Sequence, residues 1–242
     1  MLYSENEFTK KNLDMYLKEV SKIYKKKCRN TPAELTLIGG AAVLANYGFR
    51  DMTTDIDAII NASSVMKEAI LEVADKYELT DDWLNFDFRR TDSYSSKLIA
   101  HSKHYKTFYN NVEIRIIEAE YLVAMKVVSG RTYKHDLSDI VGIINEERKR
   151  GNYLGFDDID NAMKELYGDW DKVDKNTIAY LKDILAADNL ESRFLDIQEK
   201  EKEEKLRKIA EWNADSAKEE KKINYSANSD EIIKLINRKI KS

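Results

Sequence analysis

The chain has 242 residues, 43% of them apolar and 10% aromatic, enough for one large domain or a domain with an appendage. Charged residues make up 35%, yet the net charge is only −4, which argues against a general nucleic-acid coat protein and leaves room for a local basic groove. A single cysteine, Cys28, excludes an internal disulfide, and no apolar run approaches the roughly 18 residues of a membrane span, so the expected location is the reducing cytoplasm with no membrane partner.

In chain order, the first element is an amphipathic helix over Phe8–Lys27, where Leu13, Tyr16, Leu17, Val20 and Ile23 fall at helical spacing. Pro32, the only proline, separates it from a short apolar strand, Leu35–Ile38. Gly39-Gly40 turns the chain into a helix over Ala41–Asn46, and Asp55–Ile60 forms the next strand. A helix carrying Val65, Ile70, Val73 and Tyr77 follows, capped by Asn61 or Ser63. Val112–Ile117 alternates like a half-buried strand. Helices over Tyr121–Val128 and Leu137–Glu147 flank the link SGRTYKHD, and two more follow near Asp158–Tyr167 and Asn176–Leu185. Beyond about Leu195, charges of both signs dominate. IQEKEKEEKLRKIAEW predicts a solvated helix laced with i,i+4 pairs, and SANSDEIIKLINRKIKS a short amphipathic helix capped at Ser229 or Asp230. The predicted organisation is a core over residues 1–150, a helical extension over 151–195 and a charged helical tail over 196–242.

The chemistry concentrates in LTLIGGAAVLANYGFRDMTTDIDAII, Leu35–Ile60. Two residues apart on a strand, Asp55 and Asp57 aim their carboxylates to one side while Ile56 enters the core. Like charges this close are tolerated when a cation lies between them or when one carries a proton. Magnesium shared with a substrate phosphate needs one or two such carboxylates, and two ions about 3.5–4 Å apart clamp an in-line phosphoryl displacement. Magnesium at a two-ion site is therefore the expected cofactor, with manganese as its substitute. Gly39 and Gly40 lack Cβ atoms, so their backbone can approach a phosphate, and the helix behind them offers free N–H groups and its positive dipole end. A lone Gly-Gly is usually a plain turn and a lone Asp-x-Asp a surface strand end. Strand, Gly-Gly, helix and Asp-x-Asp strand in that order point to a nucleoside triphosphate.

LIGGAAVLANYGFRDMTTDIDAII resembles the signature of the polymerase-beta-like nucleotidyltransferase superfamily, most closely its bacterial branch of uncharacterised nucleotidyltransferases and abortive-infection toxins. DDWLN, VEIRIIEAEYLVAMK and GRTYKHDLSDIVGII resemble later segments of that branch, so the likeness spans about Leu35–Asn145. Gly-Gly stands where many members carry Gly-Ser. The resemblance implies an α/β (α+β) fold, a small mixed sheet flanked by helices with a helical C-terminal region. It implies a third acid as well, for which Glu113 is the candidate; Arg115 lies on the same strand face and could instead pair with Glu113 and make it structural. Lys126 is implied as a nucleotide contact, against a snorkelling surface lysine as the plainer role. Asp136 is implied as an acid facing the nucleotide, with Asp139 next; Asp136 also suits a helix N-cap. Arg50 is a candidate phosphate contact or a surface arginine.

Other features carry less. His101 and His104 have a metal-like spacing but no third ligand, and their basic, aromatic surroundings suit a strand with a solvated face better than an RNA contact. Trp83, Trp170 and Trp212 suit packing. The expected function is transfer of a nucleoside monophosphate from an NTP to an RNA or protein acceptor, as the toxin half of a toxin–antitoxin or phage-defence pair with a cognate antitoxin. The alternatives are nucleotidylation of a small antibiotic-like molecule, or a non-catalytic interaction protein that keeps the fold.

Overall fold

The computed structural model describes residues 7–29, 31–131 and 135–212. Its centre is a five-stranded mixed sheet of order β5-β4-β2-β7-β6, formed by β2 (Ala33–Leu37), β4 (Ile56–Asn61), β5 (Leu84–Asn85), β6 (Ser102–Phe108) and β7 (Val112–Ile117). β2 lies at the middle, antiparallel to β4 and parallel to β7. A two-stranded antiparallel sheet joins β1 (Phe8–Thr9) to β3 (Met52–Thr53).

Helices cover the sheet: α1 (Lys10–Lys27), α2 (Gly39–Asn46), α3 (Val65–Tyr77), α4 (Ala119–Ser129), α5 (Asp136–Lys149), α6 (Phe156–Tyr167) and α7 (Lys175–Ala186). Residues 190–212 form a further helix, α8. α1 starts where Thr9 caps the backbone of Asn12, and its buried face is Leu13, Leu17, Val20 and Tyr24. α3 has Ser64 at its N-cap without a side-chain cap bond, so neither Asn61 nor Ser63 fills that role. α4 is apolar nearly all round because it is the central helix: Leu122, Val123, Ala124, Met125 and Val127 are all buried. Among the described residues no helix is long and apolar enough to cross a membrane.

The strand with a solvated face expected around His101 and His104 is β6, with Lys103, His104 and Thr107 exposed. His101 and His104 do not form a pair. The His101 ring stacks on Tyr121 at 3.8 Å and faces Glu165, while His104 Nε2 meets Thr107 Oγ1 at 2.9 Å on the outer strand β6. The boundary expected near residue 195 falls inside the continuous helix α8. One face of α8 carries the expected ion pairs, Arg207 with Glu204 and with Glu211. Its other face is attached to the core: Phe194 packs edge-on against Phe49 at 5.3 Å, and Glu201 is only 3% exposed. The amphipathic segment after residue 212 lies outside the described residues.

Candidate active site

The local sequence dictates the first wall of the site. At the end of β2 the chain turns through Gly39, whose φ of +53° is a left-handed conformation that a side chain disfavours. A Cβ there would lie 3.6 Å from a carboxylate oxygen of Asp57, so the turn runs directly past that acid. Gly40 is required for a different reason: a Cβ on it would come within 2.7 Å of Thr53 Oγ1 and 3.0 Å of the Arg50 guanidinium. Both glycines belong to the first turn of α2 rather than to a loop before it. Asp57 sits in β4 and Asp55 just ahead of that strand, where Thr53 Oγ1 donates to Asp55 at 3.5 Å.

These residues line a cavity of about 510 Å³, within the range of small-molecule sites. It gathers Gly39, Gly40, Arg50, Asp55, Asp57, Lys126 and Asp136 of the residues singled out by sequence. Asp139 lies immediately behind, held to Arg50 at 2.6 Å and to Lys126 at 2.7 Å.

Lys126 does not snorkel. Its position on the buried helix α4 leaves its side chain 7% exposed, which is tolerable only because carboxylates meet it: Asp136 at 2.8 Å and Asp139 at 2.7 Å. Burial by itself would push the ammonium pKa down, but the charges of Asp139 and Asp136 outweigh burial and hold it above the ordinary lysine value. Asp136 is the converse. Burial would raise its pKa, and Lys126 and Arg131 hold it below the ordinary carboxylate range. Asp136 is also not the cap of α5. His135 occupies that position with φ of 45° and makes no side-chain cap bond, while the Asp136 carboxylate accepts from Arg131 Nε at 2.9 Å. Arg50 is likewise no surface arginine, its guanidinium being held by Asp139 and the carbonyl of Met52.

Glu113 lies elsewhere. In the parallel pairing of β2 with β7 it stands opposite Glu34, four residues along β2 from Ile38, the neighbour of Asp57; that is about 13 Å at strand rise. It borders a separate depression at the other end of the sheet, and Arg115 donates to it at 2.7 Å. The structural alternative for Glu113, pairing with Arg115, is the arrangement present.

The sequence did not single out the third wall. α8 brings Lys205, Lys208, Ile209 and Trp212 to the cavity, and Arg131 closes it from the α4–α5 link. The helix is held there by Glu201, whose Oε1 accepts the free N–H groups of Leu137 at 3.0 Å and Ser138 at 3.1 Å, with Ser138 Oγ bonded to Oε2. Glu201 thus caps α5 from a distant part of the chain. The signal was present: Phe194, Ile197, Glu201, Lys205, Lys208 and Trp212 recur at three- and four-residue spacing and mark one helix face.

Among the described residues no group of three or more His, Cys, Asp or Glu side chains is arranged to hold a metal ion. The cavity does offer hard oxygen donors from Asp55 and Asp57, a set that suits magnesium when a triphosphate completes the coordination.

A glycine turn that opens a helix beside two aspartates, at one end of a small mixed sheet, brings backbone N–H groups and carboxylates to one cavity. The model of the family DUF6036, a nucleotidyltransferase of unknown function, matches residues 11–147, more than half of the chain, and the chain belongs to that family. No curated protein and no solved structure matches it.

Proposed function

We propose that the cavity is the active site of a polymerase-beta-like nucleotidyltransferase that moves a nucleoside monophosphate from an NTP to an acceptor hydroxyl. The observation that carries this reading is the close approach of the left-handed Gly39 turn to Asp57, in a cavity that also holds Asp55 and the cationic side chains of Arg50, Lys126 and Arg131, with Lys205 and Lys208 from α8. The backbone N–H groups of α2 receive the triphosphate, which the missing Cβ atoms allow to come close. Asp55 and Asp57 would hold magnesium, which supplies charge neutralisation at the phosphates when bound. The acceptor oxygen bonds to the α-phosphorus, the bond from that phosphorus to the bridging β-phosphate oxygen breaks, and pyrophosphate leaves. The hydroxyl proton passes to the Asp55–Asp57 pair, because Asp136 is committed to Lys126 and Arg131. Lys126 acts chiefly by fixing Asp136 and Asp139, and through them Arg131 and Arg50, at the rim of the cavity.

The test is transfer of label from each α-labelled NTP in the presence of magnesium, with Asp55→Asn and Asp57→Asn as variants. Label on the acceptor fraction from wild type and none from either variant, at unchanged melting temperature, is the expected result. Full transfer by the double variant would sink the mechanism. The setting implied by the resemblance, a toxin with a cognate antitoxin, belongs to the same proposal; growth arrest on expression, relieved by Asp57→Asn, is its measurable consequence.

A further inference from the structure

The wall contributed by α8 has a chemistry of its own. Glu201, Lys205, Lys208, Ile209 and Trp212 lie at i, i+4, i+7, i+8 and i+11, one stripe of the helix, and the last four line the cavity. Glu201 is the buried fixed point of that stripe, so the remaining side chains stand at the site in a set orientation. Among the described residues no carboxylate pairs with Lys205, unlike Arg50, Lys126 and Arg131, each of which meets Asp136 or Asp139. Trp212 is 72% exposed and lines the cavity, so a face of the indole is open at the site.

We propose that α8 is the acceptor-binding wall of the site and that the acceptor is a single-stranded nucleic-acid end: Lys205 meets the backbone phosphates and Trp212 stacks on a base. Cations along a groove, interleaved with an exposed aromatic ring, are what single strands need and what a neutral protein segment does not use. The same cations repel the cationic antibiotics that small-molecule relatives would modify. The inference rests on the transferase reading, and it names the class of acceptor for that same site. The sheet and glycine turn contact the triphosphate, and the C-terminal helix contacts the strand that receives the nucleotide.

The experiment uses the full chain and a short fluorescent single-stranded RNA with a free 3′ hydroxyl, titrated without magnesium or NTP, so that binding is measured without turnover. Magnesium–NTP binding is followed separately by thermal shift. Trp212→Ala should weaken RNA binding by about tenfold, and Trp212→Phe should restore most of it. Lys205→Gln should lower the slope of log affinity against log salt by about 0.7, the value of one phosphate contact on a single strand. Both exposed-residue variants should keep the wild-type melting temperature and NTP shift. Absence of RNA binding by wild type overturns the proposal. So does an equal loss of NTP binding in the variants, which would assign α8 to the triphosphate, or tighter binding of an acidic peptide than of RNA, which would assign it to a protein acceptor. RNA binding that obeys these rules alongside absent label transfer would instead count against the transferase reading alone.

Discussion

The two ends of the central sheet both carry acidic residues, and they are built for different purposes. At the C-terminal end of β2, Asp55 and Asp57 face a cavity floored by a glycine turn and ringed by Arg50, Lys126 and Arg131. At the opposite end, Glu34 and Glu113 stand side by side on β2 and β7, and Arg115 answers both, at 2.7 Å from Glu113 and 4.0 Å from Glu34. The depression there is no smaller, about 610 Å³, but it is bordered by Pro32, Asn61 and Asn110, and among the described residues no lysine or arginine lines it. Acidic residues alone do not make a phosphate site. What separates the ends is whether a glycine turn and cationic side chains stand beside the carboxylates.

The comparison breaks most directly at its carboxylates. Asp57→Asn should cost at least about a hundredfold in label transfer, since metal-borne charge stabilisation is worth several kcal/mol. Glu113→Gln should stay within about threefold of wild type. A collapse of transfer in Glu113→Gln with the fold intact would place the chemistry across both ends and undo the contrast.

A second contrast is in stability. Lys126→Met leaves Asp136 and Asp139 buried with fewer counter-charges, and breaking a buried pair in this way costs on the order of 3 kcal/mol, partly relieved here by Arg131 and Arg50. Arg115→Met, at the more exposed end, should cost under about 1 kcal/mol. Urea unfolding of the two variants measures the difference, and equal costs would mean the Lys126 network is no more structural than the Arg115 pair. Glu201→Ala should fall between them. It removes the acceptor for two N–H groups of α5, a loss of about 1–2 kcal/mol, and it should loosen α8 enough to lower RNA affinity too.

The smallest effect is a pH signature. The depressed Asp136 carboxyl contributes stability that is present above the unfolded carboxylate value near pH 4 and is lost as pH falls through its lower folded value. The raised Lys126 ammonium contributes stability that is present below about pH 10.4 and is lost as pH rises through its higher folded value. The melting-temperature gap between wild type and Asp136→Asn should therefore be flat from about pH 5 to 9 and shrink below about 4. A gap that grows on acidification would refute the ion-pair account.

Sequence alone determined the parts whose cause is local. The helices through α7 and the strands β2, β4 and β7 followed from apolar periodicity, while the short strands β1, β3 and β5 did not, and the Gly-Gly turn with its Asp-x-Asp partner was legible because strand alternation and glycine's missing Cβ act over a few residues. Lys126 and Asp136 were singled out through the family resemblance, and the structure joins them at 2.8 Å. Their burial was not, since it depends on α4 being enclosed by the rest of the fold. Only the tertiary structure decided that Glu113 belongs to the far end, because strand order and parallel register are set by pairing between distant segments. Only the tertiary structure decided the fate of the charged C-terminal helix. Its stripe from Phe194 to Trp212 was written in the sequence, but charged residues suit solvent unless something buried receives them. The free N–H groups of α5, receiving Glu201, turned a helix expected to stand in water into a wall of the site.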